Sequence, residues 1–197
     1  MCWSVVRRRI EPAALEVAIN RRRFRQTVCV LDAEFTISPA AVSDAVDIHA
    51  IKLRAFAEEG RLSGTMDLPP LQEDLAAVER DIRANTVLIV RDAERTVGSA
   101  RGEVSGTSCE IRAVCVDPSY QGRGIGAALL QAVEHAHPDV AQYELTTNTL
   151  VPGNVEFYQR HGYRIVGRTS FTDRIVLAHL IKTTAIGDHS RPDSPYS

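Results

Sequence analysis

The stretch Gln121-Gly122-Arg123-Gly124-Ile125-Gly126 constrains the fold more than any other, because its three alternating glycines lie between a strand-like run and a helix-like one. Residues 109–116 alternate in the manner of a strand, and Asp117-Pro118 ends it. Beyond the glycines, Ile125, Leu129, Ala132, Val133 and Ala136 recur at helical spacing. A helix entered from such a turn has several N–H groups without helical partners, and they point outward together. Glycine removes the Cβ atoms that would crowd an approaching group, the helix dipole adds partial positive charge, and Arg123 can add a full one. A pyrophosphate-sized anion fits this arrangement. The glycines do not follow Gly-x-Gly-x-x-Gly, and no Gly-Lys-Ser/Thr is present, so the common dinucleotide and nucleoside triphosphate loops are disfavoured. The competing reading is a turn used only for tight strand-to-helix packing.

Around this turn the chain alternates strand and helix signals. Phe35 and Ile37 open a short strand. Ser38-Pro39 then reads as an N-cap and first-turn proline for a helix through Ala45, Ile48, Leu53 and Phe56, closed by Gly60. Leu71, Leu75, Val78 and Ile82 mark a further helix over 71–83. Strands over 86–91, 96–104 and 109–116 follow in meander order, joined by turns at Asp92-Ala93 and Ser105-Gly106. After the helix that begins at Ile125 come a strand over 143–147, a short helix over 154–160 and closing strands over 163–168 and 174–180. The expected organisation is a loosely ordered basic extension over 1–33, one α/β domain with a mixed sheet over 34–182, and a flexible tail over 183–197.

Composition narrows the function. With 44% hydrophobic and 24% charged residues in 197, the chain can bury a core, and its longest apolar runs are far short of the roughly 18 residues that span a bilayer. No membrane association is expected. Seven arginines against Glu11 and Glu16 make the first 31 residues basic, while the whole chain carries a net charge of -2. The acidic body argues against nucleic acid as main partner. Cys2, Cys29, Cys109 and Cys115 show no metal-site spacing, so no metal is expected. Cys109 and Cys115, six residues apart on one strand, stand roughly 20 Å from each other, too far for a disulfide. Reduced thiols and a cytoplasmic location are expected.

Residues 114–130, VCVDPSYQGRGIGAALL, resemble the acetyl-CoA signature of the GNAT superfamily of N-acyltransferases, whose core is Gln/Arg-x-x-Gly-x-Gly/Ala. Gln121, Gly124 and Gly126 fit it. A second block, residues 154–163 (NVEFYQRHGY), resembles the family's later Phe-Tyr-x-x-x-Gly-Phe/Tyr segment. The resemblance covers about residues 34–182. It implies a central, mostly antiparallel twisted sheet flanked by helices and split by a cofactor cleft, between the strand over 109–116 and the strand over 143–147. Acetyl-CoA would lie in that gap, its arm along Val114, Cys115 and Val116, with Gln121 beside the turn and the amides of Gly122, Arg123, Gly124, Ile125, Gly126 and Ala127 on its pyrophosphate. Asn154 and Phe157 would complete the cofactor contacts. An amide near a bulge in the first strand would polarise the thioester carbonyl.

The implied reaction is direct acetyl transfer to a primary amine, on a small molecule or peptide, in a ternary complex. It needs a base for the ammonium and an acid for the departing sulfur. The resemblance places the base at Glu110, eleven residues before Gln121, and the acid at Tyr158. Their bland readings are a solvated strand glutamate and a core aromatic beside Phe157. A covalent route through Cys115 lacks a histidine partner in sequence. The alternative function is a non-catalytic acyl-CoA-binding or sensing module. A homodimer is expected from families of this kind.

Overall fold

The computed structural model describes residues 29–32 and 35–187, with side chains from Phe35 onward. Eight strands form one sheet in the order β1-β2-β3-β4-β5-β6-β8-β7. They are β1 (Cys29–Asp32), β2 (Phe35–Pro39), β3 (Thr86–Asp92), β4 (Arg95–Ser105), β5 (Ser108–Val116), β6 (Gln142–Asn148), β7 (Arg164–Ser170) and β8 (Val176–Thr183). Every neighbouring pair is antiparallel except β5 and β6. The helices are α1 (Ala45–Ser63), α2 (Pro69–Gln72), α3 (Leu75–Ala84), α4 (Ile125–Ala136) and α5 (Asn154–Arg160).

Apolar side chains divide between the two sheet faces. On one, Leu129, Leu130 and Val133 of α4 and Tyr158 of α5 pack with Ile111, Val114, Leu145 and Leu180. On the other, Ile51, Ala55 and Phe56 of α1 pack with Cys115, Ile175 and Leu177, and α3 joins through Val78 against Val87 and Ile89. Burying such side chains contributes roughly 1.5–3 kcal/mol each, which holds amphipathic helices to a sheet. Among the described residues no helix is long and apolar enough to cross a membrane.

The structure corrects the sequence at three places. Ser38 and Pro39 lie in β2, paired with Ile89 and Leu88. They do not open a helix. Proline is tolerated at the end of such a strand, and among the described residues β1 pairs β2 only as far as Ile37. A short turn of 3-10 helix over Val42–Asp44 intervenes, the Asp44 carboxylate accepts from Ala41 N–H at 2.8 Å, and α1 runs past Gly60 to a left-handed Gly64, φ 69°. The single helix expected over 71–83 is broken at Glu73-Asp74, where the Asp74 carboxylate accepts from Ala77 N–H at 2.7 Å and caps α3. Finally, among the described residues the sheet includes Cys29–Asp32, inside the segment expected to be a loose extension, and Thr183 closes β8 rather than opening a tail. The rest of the basic arm, residues 1–28, and residues 188–197 lie outside the described residues.

Candidate functional site

The strands β5 and β6 pair at only three positions, Ser108 with Gln142, Cys109 with Tyr143 and Glu110 with Glu144. Beyond Glu110 they part. From Leu145 to Asn148, β6 keeps its partner β8 on the other side, while β5 keeps β4. The result is a V-shaped gap whose walls are Ile111–Val116 on one side and 145–148 on the other, as the resemblance implied.

A bulge bends β5 within this gap. Ser99 pairs with Cys115 and Arg101 with Arg112, so Ala113 and Val114 together oppose Ala100. Ala113 takes φ 50°, a left-handed conformation uncommon for a residue with a Cβ. Such backbone costs on the order of 1 kcal/mol and persists where the surroundings fix it. The resemblance implied a bulge in this strand, but nothing in the sequence placed it at an alanine.

The glycine-rich turn closes the wide end of the gap. Asp117 anchors it: the carboxylate accepts from Ser119 N–H at 3.1 Å and Ser119 Oγ at 2.6 Å, and from Arg54 and Arg95 at 2.9 and 3.2 Å. Burial raises the Asp117 pKa, but the Ser119 hydrogen bonds and Arg54 outweigh it and hold the carboxyl down at about 2. Gly122 and Gly124 take φ 79° and 80°, and nothing lies within 4 Å of where a Cβ would stand on either. Gly124 is the N-cap of α4. The turn is therefore an open cradle of amides, not a packing device pressed against a neighbour. Arg123 sits with its guanidinium 5.1 Å from the Tyr120 ring centre and 5.9 Å from that of Phe35, a cation–π position at the rim.

Three elements meet beside the cradle. A Cβ on Gly126 would stand 3.7 Å from the Phe157 ring of α5 and 3.9 Å from Val116 of β5. Gln121 donates from its amide to the Val116 carbonyl at 3.4 Å, and Asn154 donates to Thr147 Oγ1 of β6 at 3.3 Å. Val114, Cys115, Val116, Gln121, Gly122, Arg123, Gly124, Ile125, Gly126, Ala127, Asn154 and Phe157 thus come from the elements that border the gap and its mouth. Val114 and Cys115 point to opposite faces, one into each core.

Glu110 and Tyr158 approach the gap from opposite faces of the sheet. Tyr158 is fully buried, edge-on to Phe157 at 5.0 Å and to Tyr163 at 6.0 Å. Glu110 lies on the α1 face, paired with Arg112 at 2.9 Å, and lines a cavity of about 270 Å³ with Glu144, Thr146, Val166, His179 and Ile181. Sequence reading missed Arg112, Thr146 and His179. Only the alternation of Glu110 and Arg112 along one strand could have signalled a shared face. Cys109 and Cys115 are poor nucleophiles: burial pushes Cys109 up to about 12 and Cys115 up to about 11.

The α1 face also carries a chain of charges beside the bulge. Buried Lys52 and partly buried Arg101 both meet Glu73, Arg101 also pairs with Asp81, and His49 Nε2 contacts the Glu73 carbonyl at 3.0 Å. This ties the short α2 segment to the sheet next to Ala113.

Residues 83–165 match the family model of an acetyltransferase (GNAT) domain. The chain is 27% identical over 104 residues to the uncharacterized N-acetyltransferase YjcF of Bacillus subtilis, covering 53% of this chain and 71% of that one. It is 31% identical over 140 residues to the mycothiol acetyltransferase of Clavibacter sepedonicus, covering 68% of this chain but only 44% of that relative. Among solved structures, yncA of Salmonella typhimurium with its cofactor acetyl-CoA superposes with TM-score 0.62 at 17% identity, over 82% of this chain and 99% of that one. At that identity the likeness shows the fold.

Proposed function

Since residues 83–165 match the family model of a GNAT acetyltransferase domain, we propose that the chain moves an acetyl group from acetyl-CoA to a primary amine by direct transfer with both bound. The observation that carries this reading is the parting of β5 and β6 after Glu110 and Glu144, directly beside the glycine cradle at the start of α4. Bound acetyl-CoA supplies the activated thioester. Backbone groups of Val114 and Val116 hold its arm, and amides from Gly122 to Ala127 hold its pyrophosphate. The open space over Gly122 and Gly124 supports that fit.

Glu110 takes a proton from the ammonium so that the nitrogen lone pair can attack, and the Tyr158 phenol gives one to the leaving sulfur. Peptide N–H groups at the β5 bulge stabilise the oxygen on which charge develops. Direct transfer is favoured over an acetyl-cysteine route because burial keeps both described thiols protonated.

The test is calorimetric titration with acetyl-CoA, using ATP and NAD as controls. It is followed by CoA release with spermidine, glucosamine, a lysine peptide and a peptide with a free N-terminus. Micromolar binding of acetyl-CoA alone, with release for one class, is the expected outcome. Binding without release to any amine would replace the enzyme by an acyl-CoA sensor. No heat and no thermal shift would sink both.

A further inference from the structure

The cavity lined by Glu110 is also lined by a second proton-carrying group, on β8, with β6 between them. His179 of β8 stands across from Thr146 of β6 and beside β7. Its Nδ1 lies 3.3 Å from Thr146 Oγ1 and its Nε2 lies 2.7 Å from Thr169 Oγ1. Thr146 is buried in the cavity wall, whereas Thr169 is exposed on the edge strand. The ring therefore sits in a hydrogen-bonded line that leads from the cavity to solvent. An imidazole accepts at one nitrogen while donating from the other, which no other side chain does near neutral pH.

Acetyl transfer to an ammonium releases one proton per turnover. The amine nitrogen forms its bond to the acetyl carbon, the carbon–sulfur bond breaks, the sulfur leaves as a thiol, and the remaining proton must reach bulk water. A base that accepts this proton has to be emptied before the next cycle. Glu110 is held on one side by Arg112 at 2.9 Å. The same cavity is lined by His179. We infer that His179, with Thr146 and Thr169, forms the outlet through which the acceptor's proton leaves for solvent. The proton arrives at Nδ1 through Thr146, the Nε2 proton passes to Thr169 Oγ1, and the Thr169 hydroxyl proton passes to water. Charged groups on this face include Glu103 of β4, Glu110 and Arg112 of β5, Glu144 of β6 and, beside Ile181, Arg164 of β7, with Lys52, Glu73, Asp81 and Arg101 beside the bulge.

This inference rests on the acetyl-transfer reading and is tested separately from it. His179→Gln keeps hydrogen-bonding groups for both threonines but cannot shuttle a proton. Its kcat should fall by about 10²-fold, with the acetyl-CoA KM unchanged and the pH profile altered. Imidazole in the buffer should restore the rate of His179→Ala. Should no amine of the panel be turned over, acetyl-CoA hydrolysis, where water replaces the amine and also sheds a proton, is the reaction followed. In the free protein, nitrogen NMR should show slower exchange of the His179 ring N–H with water after Thr169→Val. An unchanged rate and pH profile in His179→Gln, a loss that imidazole leaves untouched, or an exchange rate indifferent to Thr169 would each overturn the outlet. Failure of the wild type to bind acetyl-CoA would instead remove the acetyl-transfer reading itself.

Discussion

The two sides of the β5–β6 gap are built in opposite ways. The cradle side is almost one continuous stretch, from the bulge at Ala113 and Val114 through Asp117 to Ala127, and the anion binding proposed for it follows from local backbone geometry. The Glu110 side, the acceptor side of the proposed reaction, is gathered from β5, β6, β7 and β8, and no two of its polar residues but Glu110 and Arg112, or Glu144 and Thr146, are near neighbours in sequence. Gripping a diphosphate requires only N–H groups and absent side chains, which a short motif can encode. Handling an amine and its proton needs side chains converging from several directions, and that convergence exists only in the folded sheet.

The largest expected effect lies on the acceptor side. Glu110→Gln should lower kcat by about 10²-fold at pH values below the pKa of the amine and leave calorimetric acetyl-CoA affinity unchanged. Equal rates across the pH range would show that Glu110 is a bystander. Tyr158→Phe should cost a similar factor in rate, again without affinity loss, and a full-rate variant would return Tyr158 to a packing role.

Next comes a residue that serves both sides, because Asp117 anchors the turn while Arg54 of α1 and Arg95 of β4 reach it. Its carboxyl sits at about 2 against a reference of 3.8, so it contributes about 2 kcal/mol of stability when ionised. The folded-state value is depressed, so this stability is present above pH 4 and is lost as pH falls toward 2. Asp117→Asn should therefore lower the melting temperature at pH 7 and flatten its acid dependence. An unaltered melting curve at neutral pH would contradict this. Smallest is Gly124→Ala, which puts a Cβ on a left-handed residue at a cost of roughly 1 kcal/mol and should weaken acetyl-CoA binding by about tenfold without changing kcat at saturation. A rate defect with intact affinity would erase the division between the two sides.

Much of the scaffold was legible in the sequence. The β3–β5 meander, the helix that starts at Ile125 and the short helix at Asn154 follow from turn residues and periodicity, within a residue or two of the observed ends. Ser38-Pro39 misled because its helix-start chemistry is real but sheet pairing with β3 overrides it. The break before α3 was hidden because Leu71, Leu75, Val78 and Ile82 keep helical spacing across it. At the site, glycines advertise themselves, whereas a histidine between two threonines on separate strands leaves no local pattern. Ala113 is invisible for a different reason: its strain is imposed by the register of β4.

The brevity of the parallel junction also bears on how the chain assembles. The strands β3, β4 and β5 pair with sequence neighbours, while β6 must find β5 across a helix and then hold it at three residue pairs. Local contacts form sooner than distant ones because less chain entropy is lost in closing them. Refolding should accordingly proceed with the amides of β3–β5 protected first and the β6–β8–β7 block docking last. Pulse-labelled hydrogen exchange would read that order directly, and the late step should become faster when the ligand that fits between the two blocks is present.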